Sequence, residues 1–142
     1  MIDRVLVVDA ELCTGCRICE LWCSLKHFGV INASKSRIRI GKKQGDLSSY
    51  PKVCLQCADR YCIAACPPKI KALSLDKKTG AVLVDLDKCI GCEKCREACP
   101  YDAIHPLADE KKVIICDLCA GNPECVIQCP EGVLSYVMRG EV

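Results

Sequence analysis

Residues 89–100 read CIGCEKCREACP, with four cysteines separated by two, two and three residues and a proline directly after the last. Three other segments, 13–23, 54–66 and 116–129, carry four cysteines in related spacings. All four quartets end in the same Cys-x3-Cys step, and together they use all 16 cysteines of the chain. The chain is therefore a fourfold internal repeat whose unit is defined by cysteine.

The compartment and the spacing of the cysteines argue against disulfides. Cysteine makes up 16 of the 142 residues, a share typical of a cysteine-dependent scaffold. A disulfide framework needs an oxidising compartment, and the start of the chain shows neither a basic leader nor a small-residue cleavage site. We therefore expect a cytoplasmic protein. Thiols only two residues apart also suit one inorganic centre better than disulfide geometry.

The spacing also separates zinc from iron. A structural zinc site usually combines two Cys-x2-Cys pairs that lie a dozen or more residues apart. Here a third cysteine follows each pair after two to five residues, and a fourth follows after three more. A CxxCxxCxxxCP run is the bacterial ferredoxin signature of a [4Fe–4S] cluster, whose fourth cysteine ligates the neighbouring cluster. The sequence thus predicts iron–sulfur clusters, with Gly15 and Gly91 as positions of close backbone approach.

Cross-ligation pairs the quartets, so four quartets make two ferredoxin-like units. Two pairings are open at this point: first with second and third with fourth, or first with fourth and second with third. The spacing does not decide between them, because each pairing joins a narrow quartet to one with a widened middle gap.

Between the quartets the chain predicts an α+β fold of short β-hairpins and short helices. Alternating or β-branched runs predict strands at 4–8, 37–40 and 133–137. Two hairpins are predicted, one within 72–85 and one within 103–115.

Short helical turns and one long connection complete this expectation. Residues 24–53, which contain several serines and glycines, are predicted to be a loop-rich insertion that faces a partner. The helical turns are expected after Cys19, Cys62, Cys95 and Cys125.

Composition and motifs exclude several function classes. Lys and Arg (20) nearly balance Asp and Glu (18), so no nucleic-acid partner is expected, and no apolar run is long enough for a membrane span. The sequence has no nucleotide-binding glycine loop. His27 and His105 stand alone, and no thiol is left over as a nucleophile. We expect a non-catalytic electron relay.

Charges inside the quartets lead to one prediction about redox behaviour. The first three quartets have no net charge between their first and last cysteines, whereas the fourth carries Asp117 and Glu124 with no local cation. Negative charge disfavours the reduced state of a cluster. The cluster capped by Cys116, Cys119 and Cys125 is therefore predicted to be the hardest to reduce.

The quartets, the widened gaps in the second and fourth, and the lead-in at residues 50–57 resemble a known family. That family comprises the four-cluster iron–sulfur electron-transfer subunits of molybdenum and tungsten oxidoreductases, and the resemblance covers nearly the whole chain. Residues 13–27 and 36–40 are most similar to the small subunits of tungsten aldehyde oxidoreductase and benzoyl-CoA reductase complexes.

The resemblance implies that the first quartet pairs with the fourth and the second with the third. Unit A then comprises 13–23 and 116–129, unit B comprises 54–66 and 89–99, and residues 1–142 form a single polyferredoxin-like domain packed around four [4Fe–4S] clusters. The implied ligand sets are Cys13, Cys16, Cys19 and Cys129; Cys116, Cys119, Cys125 and Cys23; Cys54, Cys57, Cys62 and Cys99; and Cys89, Cys92, Cys95 and Cys66.

The implied function is a one-electron relay between a larger tungsten- or molybdenum-cofactor catalytic subunit and another redox partner. Candidates for that redox partner are a flavin subunit, a ferredoxin and another carrier. The alternatives are a free-standing soluble polyferredoxin, or the iron–sulfur subunit of a hydrogenase, formate dehydrogenase or CO dehydrogenase system. A third class is a structural or nucleic-acid-linked iron–sulfur or zinc module. An exposed apolar patch favours a subunit over a free carrier.

Overall fold

A computed structural model describes residues 3–141, and this part of the chain forms four α-helices and eight short strands. The helices are α1 (Ile18–Phe28), α2 (Tyr61–Ala65), α3 (Lys94–Ala98) and α4 (Glu124–Gln128). The strands are β1 (Arg4–Val8), β2 (Arg39–Lys42), β3 (Ser49–Lys52), β4 (Leu73–Leu75), β5 (Val82–Val84), β6 (His105–Leu107), β7 (Lys112–Ile114) and β8 (Leu134–Met138). Across residues 3–141, no helix has the length and apolar character needed to cross a membrane.

The strands pair as four separate antiparallel sheets of two strands each. β1 pairs with β8, so Arg4 lies opposite Met138 and the two ends of the described chain meet. The other sheets join sequence neighbours, β2 with β3, β4 with β5 and β6 with β7. Helix α1 packs against α4, and α2 packs against α3. We call the two helix pairs with their nearest strands the α1–α4 half and the α2–α3 half.

Three helices end at the fourth cysteine of a quartet for a reason that is visible in the sequence. Cys66, Cys99 and Cys129 each precede a proline, and the residue before a proline avoids the helical region. Accordingly these cysteines are extended, with ψ angles of 127°, 117° and 115°.

Helix α1 differs because Cys23 precedes Ser24 and not a proline. The helix therefore continues through Cys23 to Phe28 and has 11 residues, longer than the short turn predicted after Cys19. It ends at Gly29, whose φ of 71° is left-handed and whose N–H donates to the Leu25 carbonyl. Glycine is the usual residue at this position because it has no Cβ to clash.

Most of the predicted strands are confirmed. The strand at 4–8, the two hairpins and the last strand are present as β1, β4–β5, β6–β7 and β8. The strand predicted at 37–40 is displaced to β2, because Ser36 forms a local turn. Its hydroxyl accepts from the Ile38 N–H at 3.2 Å and donates to the Ile38 carbonyl, a pattern that competes with ladder pairing.

Residues 24–53 contain more regular structure than their composition suggests. They include the end of α1, a 3-10 turn at Ala33–Lys35 and the β2–β3 hairpin. Ser24, Ser36 and Ile38 are fully buried, while residues 42–48 form an exposed stretch at the hairpin tip. Only part of this segment is therefore available to a partner.

The core consists of two clusters of buried side chains, and cysteines are members of both. Gln56, which is 1% exposed, joins them. Its amide Nε2 donates to the Cys116 carbonyl at 2.9 Å and its Oε1 accepts from the Val82 N–H at 3.2 Å. Both main-chain groups would otherwise be buried without a partner, which is costly. Cys54 packs against both clusters, so the halves share one interior.

Candidate metal centres

Four cavities lie in this interior, and each is lined by four cysteines. We number them I to IV. Every cavity combines three cysteines of one quartet with the fourth cysteine of another. The sets are Cys13, Cys16, Cys19 and Cys129 in cavity I; Cys116, Cys119, Cys125 and Cys23 in cavity II; Cys54, Cys57, Cys62 and Cys99 in cavity III; and Cys89, Cys92, Cys95 and Cys66 in cavity IV.

The structure thus brings the first quartet together with the fourth and the second with the third. These are the groupings that the family resemblance implies, and all 16 cysteines are free thiols. That each set ligates a cluster stays a prediction.

Helical geometry explains why one quartet serves two cavities. The last two cysteines of a quartet are four residues apart, which is close to one turn of α-helix. On α1, Cys19 lines cavity I and Cys23 lines cavity II. On α4, Cys125 lines cavity II, and Cys129 at its end lines cavity I. Helices α2 and α3 relate cavities III and IV in the same way.

The loops that carry the first cysteines use left-handed backbone. Gly15 and Gly91 have φ angles of 75° and 72°. A Cβ on Gly91 would collide with the main-chain carbonyl of Lys111, so packing against that carbonyl requires glycine here, while close approach of this backbone to inorganic sulfide stays a prediction. Arg17, Arg60 and Glu93, each directly before a helix, also have positive φ. Such conformations are costly for residues with a side chain and concentrate at functional sites.

Burial makes several of these thiols poor acids by themselves. It raises the pKa of Cys19, Cys54 and Cys125 to about 12 and that of Cys95 to about 11. A thiolate in such a place needs a neighbouring cation, and a coordinated metal ion is the strongest. The donor set and the dry surroundings therefore fit a thiolate-bound metal centre.

Cys23 is the exception, because its pKa is lowered. Burial alone would raise it, but hydrogen bonds from His27 and from the Arg37 N–H outweigh burial. The Arg37 N–H donates to Cys23 Sγ at 3.2 Å, and His27 Nδ1 lies 3.6 Å from the same sulfur. Cavity II therefore differs electrostatically from the other three.

The distances between ligand atoms argue against a single zinc ion. Zn–S bonds are about 2.3 Å, so two sulfurs on one zinc lie at most about 4.6 Å apart. Among residues 3–141, one group of three metal-binding side chains has its ligand atoms within 4.8 Å of one another: His27, Asp117 and Cys119. No cysteine quartet meets that distance, so each cavity is spaced for a centre larger than one ion.

The His27–Asp117 contact is an ion pair within a larger network. His27 Nε2 lies 2.8 Å from Asp117 Oδ1, and Arg37 Nη1 lies 2.9 Å from Asp117 Oδ2. Burial alone would lower the His27 pKa, but the hydrogen bonds to Asp117 and Cys23 raise it to about 9.

Asp117 therefore has cationic partners that a count of charges within the quartet does not include, whereas Glu124 accepts a hydrogen bond from the neutral Gln128. Those cations come from a part of the chain some 80 to 90 residues away. That cavity II holds the cluster hardest to reduce stays a prediction.

Sequence reasoning missed Arg37 as a residue of the site. Arg37 and His27 both line cavity II. No local signal could have revealed the role of Arg37, because its contact with Asp117 exists only after the quartets pair.

The cavities form a linear series. Cavities I and II share α1 and α4, and cavities III and IV share α2 and α3. Cavities II and III meet in the middle, where Val53 lines one and the next residue, Cys54, lines the other. Cys16 in cavity I and Cys92 in cavity IV are exposed, whereas no cysteine of cavities II and III is. The two ends of the series therefore reach the surface.

An apolar groove lies beside cavity I. It is lined by Ile18, Leu21, Trp22, Leu25 and Ile31. Trp22 is 38% exposed and Ile31 is 67% exposed, while Ile18 also lines cavity I. A contiguous exposed apolar patch of this kind marks an interaction surface.

With this geometry, the class of protein is a ferredoxin-like iron–sulfur protein with short helices and small hairpins. The profile of the 4Fe-4S dicluster domain family matches residues 46–139. The chain belongs to this family, and it is an iron–sulfur electron-transfer subunit, as predicted from the sequence.

Related proteins agree with this assignment. The polyferredoxin-like subunit of aliphatic sulfonate oxidoreductase from Pyrococcus furiosus is 45% identical over 126 residues, which cover 89% of this chain and 71% of that protein. Electron transport protein HydN from Escherichia coli is 33% identical over 163 residues, covering 99% of this chain and 91% of that protein.

Two further matches are more limited. The beta subunit of NADH-dependent phenylglyoxylate dehydrogenase from Aromatoleum evansii is 33% identical over 139 residues, and the match spans 96% of this chain but 31% of that subunit. The active-site complex BamBC of benzoyl-coenzyme A reductase superimposes with a TM-score of 0.54 at 24% identity, over 94% of this chain and 78% of the matched chain. This last similarity concerns the fold.

Proposed function

We propose that each of cavities I to IV holds one [4Fe–4S] cluster and that the 16 lining cysteines are the ligands. The observation that carries this proposal is the sorting of all 16 thiols into four sets of four, spaced too widely for a single ion. In this arrangement, unit A (13–23 with 116–129) forms cavities I and II. Unit B (54–66 with 89–99) forms cavities III and IV.

One-electron exchange is the chemistry that bound clusters supply. The chain contributes the thiolates, apolar walls that keep water out, and helices that hold neighbouring cavities about one turn apart. The series I–II–III–IV is then a path for electrons through the molecule, entered and left at the exposed ends. Because all cysteines are ligands in this proposal, substrate chemistry belongs to a partner and not to this chain. We propose the cytoplasm as its compartment, since free thiols persist in reducing surroundings.

The proposed partner at cavity I is a larger catalytic subunit with a tungsten or molybdenum cofactor. The apolar groove on α1 supports this assignment, because permanent interfaces are more apolar than transient ones. The exposed charges at the two ends of α1 are cationic, Arg17 and Lys26, while its one acid, Glu20, is buried. A catalytic subunit that presents an apolar patch rimmed by acids complements this face.

The other end of the series suits a transient carrier. Cys92 is exposed there, and exposed charges of both signs flank it in the sequence: Asp87 and Lys88 on one side, Lys94 and Glu97 on the other. Exposed charges around a redox site speed encounter with a partner of complementary charge more than they strengthen the complex. We assign this end to a ferredoxin, a flavin subunit or another carrier.

Metal analysis of the protein isolated anaerobically with its partners tests the function. We expect about sixteen irons per chain, four for each of four clusters, and tungsten or molybdenum in the same fractions. Zinc in place of iron would contradict the cluster assignment. Iron on a chain that migrates alone would contradict the catalytic partner and indicate a free polyferredoxin.

Substitution in the groove tests the partner surface. The double variant Trp22→Gln and Leu25→Gln should release the chain from the catalytic subunit while its iron content stays unchanged. Leu47→Gln is the matched control, because Leu47 is 69% exposed at the β2–β3 tip, outside the groove. Equal retention of both variants in the complex would exclude the groove as the interface.

A further inference from the structure

Arg37 occupies a place in cavity II that the pairing of cysteines alone does not explain. Its main-chain N–H donates to Cys23 Sγ at 3.2 Å, and the residue lines the cavity. The guanidinium Nη1 lies 2.9 Å from Asp117 Oδ2, and the Arg37 side chain is only 18% exposed. This cation is therefore held in the interior by a charge partner, where electrostatic interactions are screened less than at the surface.

One nitrogen of this guanidinium has no partner. Arg37 Nε is buried and makes no hydrogen bond in the described part of the chain, whereas Nη1 is directed to Asp117 and to the Ile115 carbonyl. An unmade hydrogen bond from a buried charged donor is costly. Since Arg37 lines cavity II and its Nε has no acceptor among the described residues, a centre held in this cavity can supply one.

We propose that Arg37 raises the reduction potential of the cluster in cavity II, through its partly buried positive charge and its buried, unpaired Nε–H donor. The inference rests on the proposed function and adds which residue sets the potential of one particular cluster. Reduction adds one electron to the cluster, and a fixed cation beside it stabilises the extra negative charge. Hydrogen bonds to the cluster sulfurs act in the same direction.

The charged groups at the other cavities are arranged differently. Arg17 at cavity I is paired loosely with Glu20 and its side chain is 56% exposed, so solvent screens it. Glu93 at cavity IV pairs with Arg96 at the surface. Arg60 at cavity III donates to the Gly80 carbonyl and to Gln56 Oε1. Only at cavity II, among the described residues, does an arginine combine a buried ion pair with an unpaired donor.

A redox titration of the reconstituted protein, followed by electron paramagnetic resonance, tests the proposal. Arg37→Gln removes the charge and should lower one of the four midpoint potentials while the other three stay in place. Asp117→Asn should raise the same midpoint, and these opposite shifts assign the signal to cavity II. Arg4→Gln is the control: it removes the same charge on β1, where Arg4 lies over the Tyr136 ring and lines none of the four cavities.

Arg37→Lys separates the contribution of the charge from that of the hydrogen bond. It also replaces Arg37→Gln as the test variant if that protein loses iron. It keeps the positive charge and removes Nε–H, so we expect a smaller downward shift of the same midpoint. If the Arg37 variants retain the parent iron content but move no midpoint, or move all four equally, the inference is wrong although the proposed function stands. If the parent protein lacks four reducible centres, the proposed function itself fails.

Discussion

In the α1–α4 half and in the α2–α3 half alike, two packed helices each carry cysteines of two cavities. The surroundings of those cavities nevertheless differ between the halves. In the α2–α3 half, both helices have five residues and stop where proline follows the fourth cysteine. In the α1–α4 half, Ser24 stands after Cys23 and α1 runs on to Phe28. The extra turn carries Leu25 of the apolar groove and His27 of the cavity II network. One missing proline thus extends the apolar groove and brings His27 to cavity II.

Placing a proline at this position is the most direct way to remove the difference. Ser24→Pro should destabilise the folded protein by about 3 kcal/mol or more, because proline in a helix interior removes a hydrogen bond and clashes with the preceding turn. The free energy of unfolding of the iron-loaded protein measures this. The buried Ser24 hydroxyl also donates to the Leu21 carbonyl at 2.9 Å, so Ser24→Ala, with an expected cost of about 1 kcal/mol, is the control.

Replacing the corresponding proline of the α2–α3 half by serine should change the free energy of unfolding only slightly. Pro67→Ser after Cys66 relieves the restriction that ends α2, and we expect a change within about 1 kcal/mol. A large loss of stability in Pro67→Ser, equal to that in Ser24→Pro, would contradict the idea that the proline after the quartet only ends the helix.

A substitution of Gly91 tests whether the close packing at cavity IV, in the α2–α3 half, is needed to hold a metal centre. Gly91→Ala should cost about 1–2 kcal/mol for the left-handed backbone, and more because the added Cβ meets the Lys111 carbonyl. We expect loss of the centre in cavity IV, seen as a drop of about a quarter of the iron per chain. Gly132→Ala is the matched control, since Gly132 has a φ of 65° but open space around its Cβ position. Similar iron losses in both variants would mean that the left-handed backbone, and not the contact with the Lys111 carbonyl, causes the loss.

His105 gives a smaller, pH-dependent effect at a contact between β6 and β3. Burial lowers the His105 pKa to about 4, although its Nε2 lies 3.1 Å from the Lys52 carbonyl. In the unfolded chain His105 binds a proton below about pH 6.5, whereas in the folded protein it stays neutral down to about pH 4. The free energy of unfolding therefore falls across this interval as pH decreases. The loss should reach on the order of 2 kcal/mol near pH 5.

The difference in unfolding free energy between the parent protein and His105→Gln isolates this contribution from the acid sensitivity of the rest of the molecule. Because glutamine does not titrate, the variant should lose less stability than the parent between pH 7 and pH 5. Parallel pH profiles would show that folding does not lower the His105 pKa.

Local features of the chain were predictable because they depend on neighbours in sequence. The runs that became β1, β4, β5 and β8 carry β-branched and alternating residues, and Gly91 sits in a spacing that demands a close turn. The prediction for 24–53 was poorer. Its serines suggested loop, but Ser24 and Ser36 are buried and hydrogen-bonded, and serine in a sequence does not reveal whether its hydroxyl faces water.

The sequence by itself determined the class of protein, because the spacing of thiols around a small inorganic centre is a property of a few consecutive residues. Only the tertiary structure decided which quartets meet, since both pairings satisfy the same spacing. It also decided the charge at cavity II, where Arg37 and His27 reach Asp117 across some 80 to 90 residues. Electrostatic interactions act through space, so a count of charges along the chain could not have predicted the surroundings of that centre.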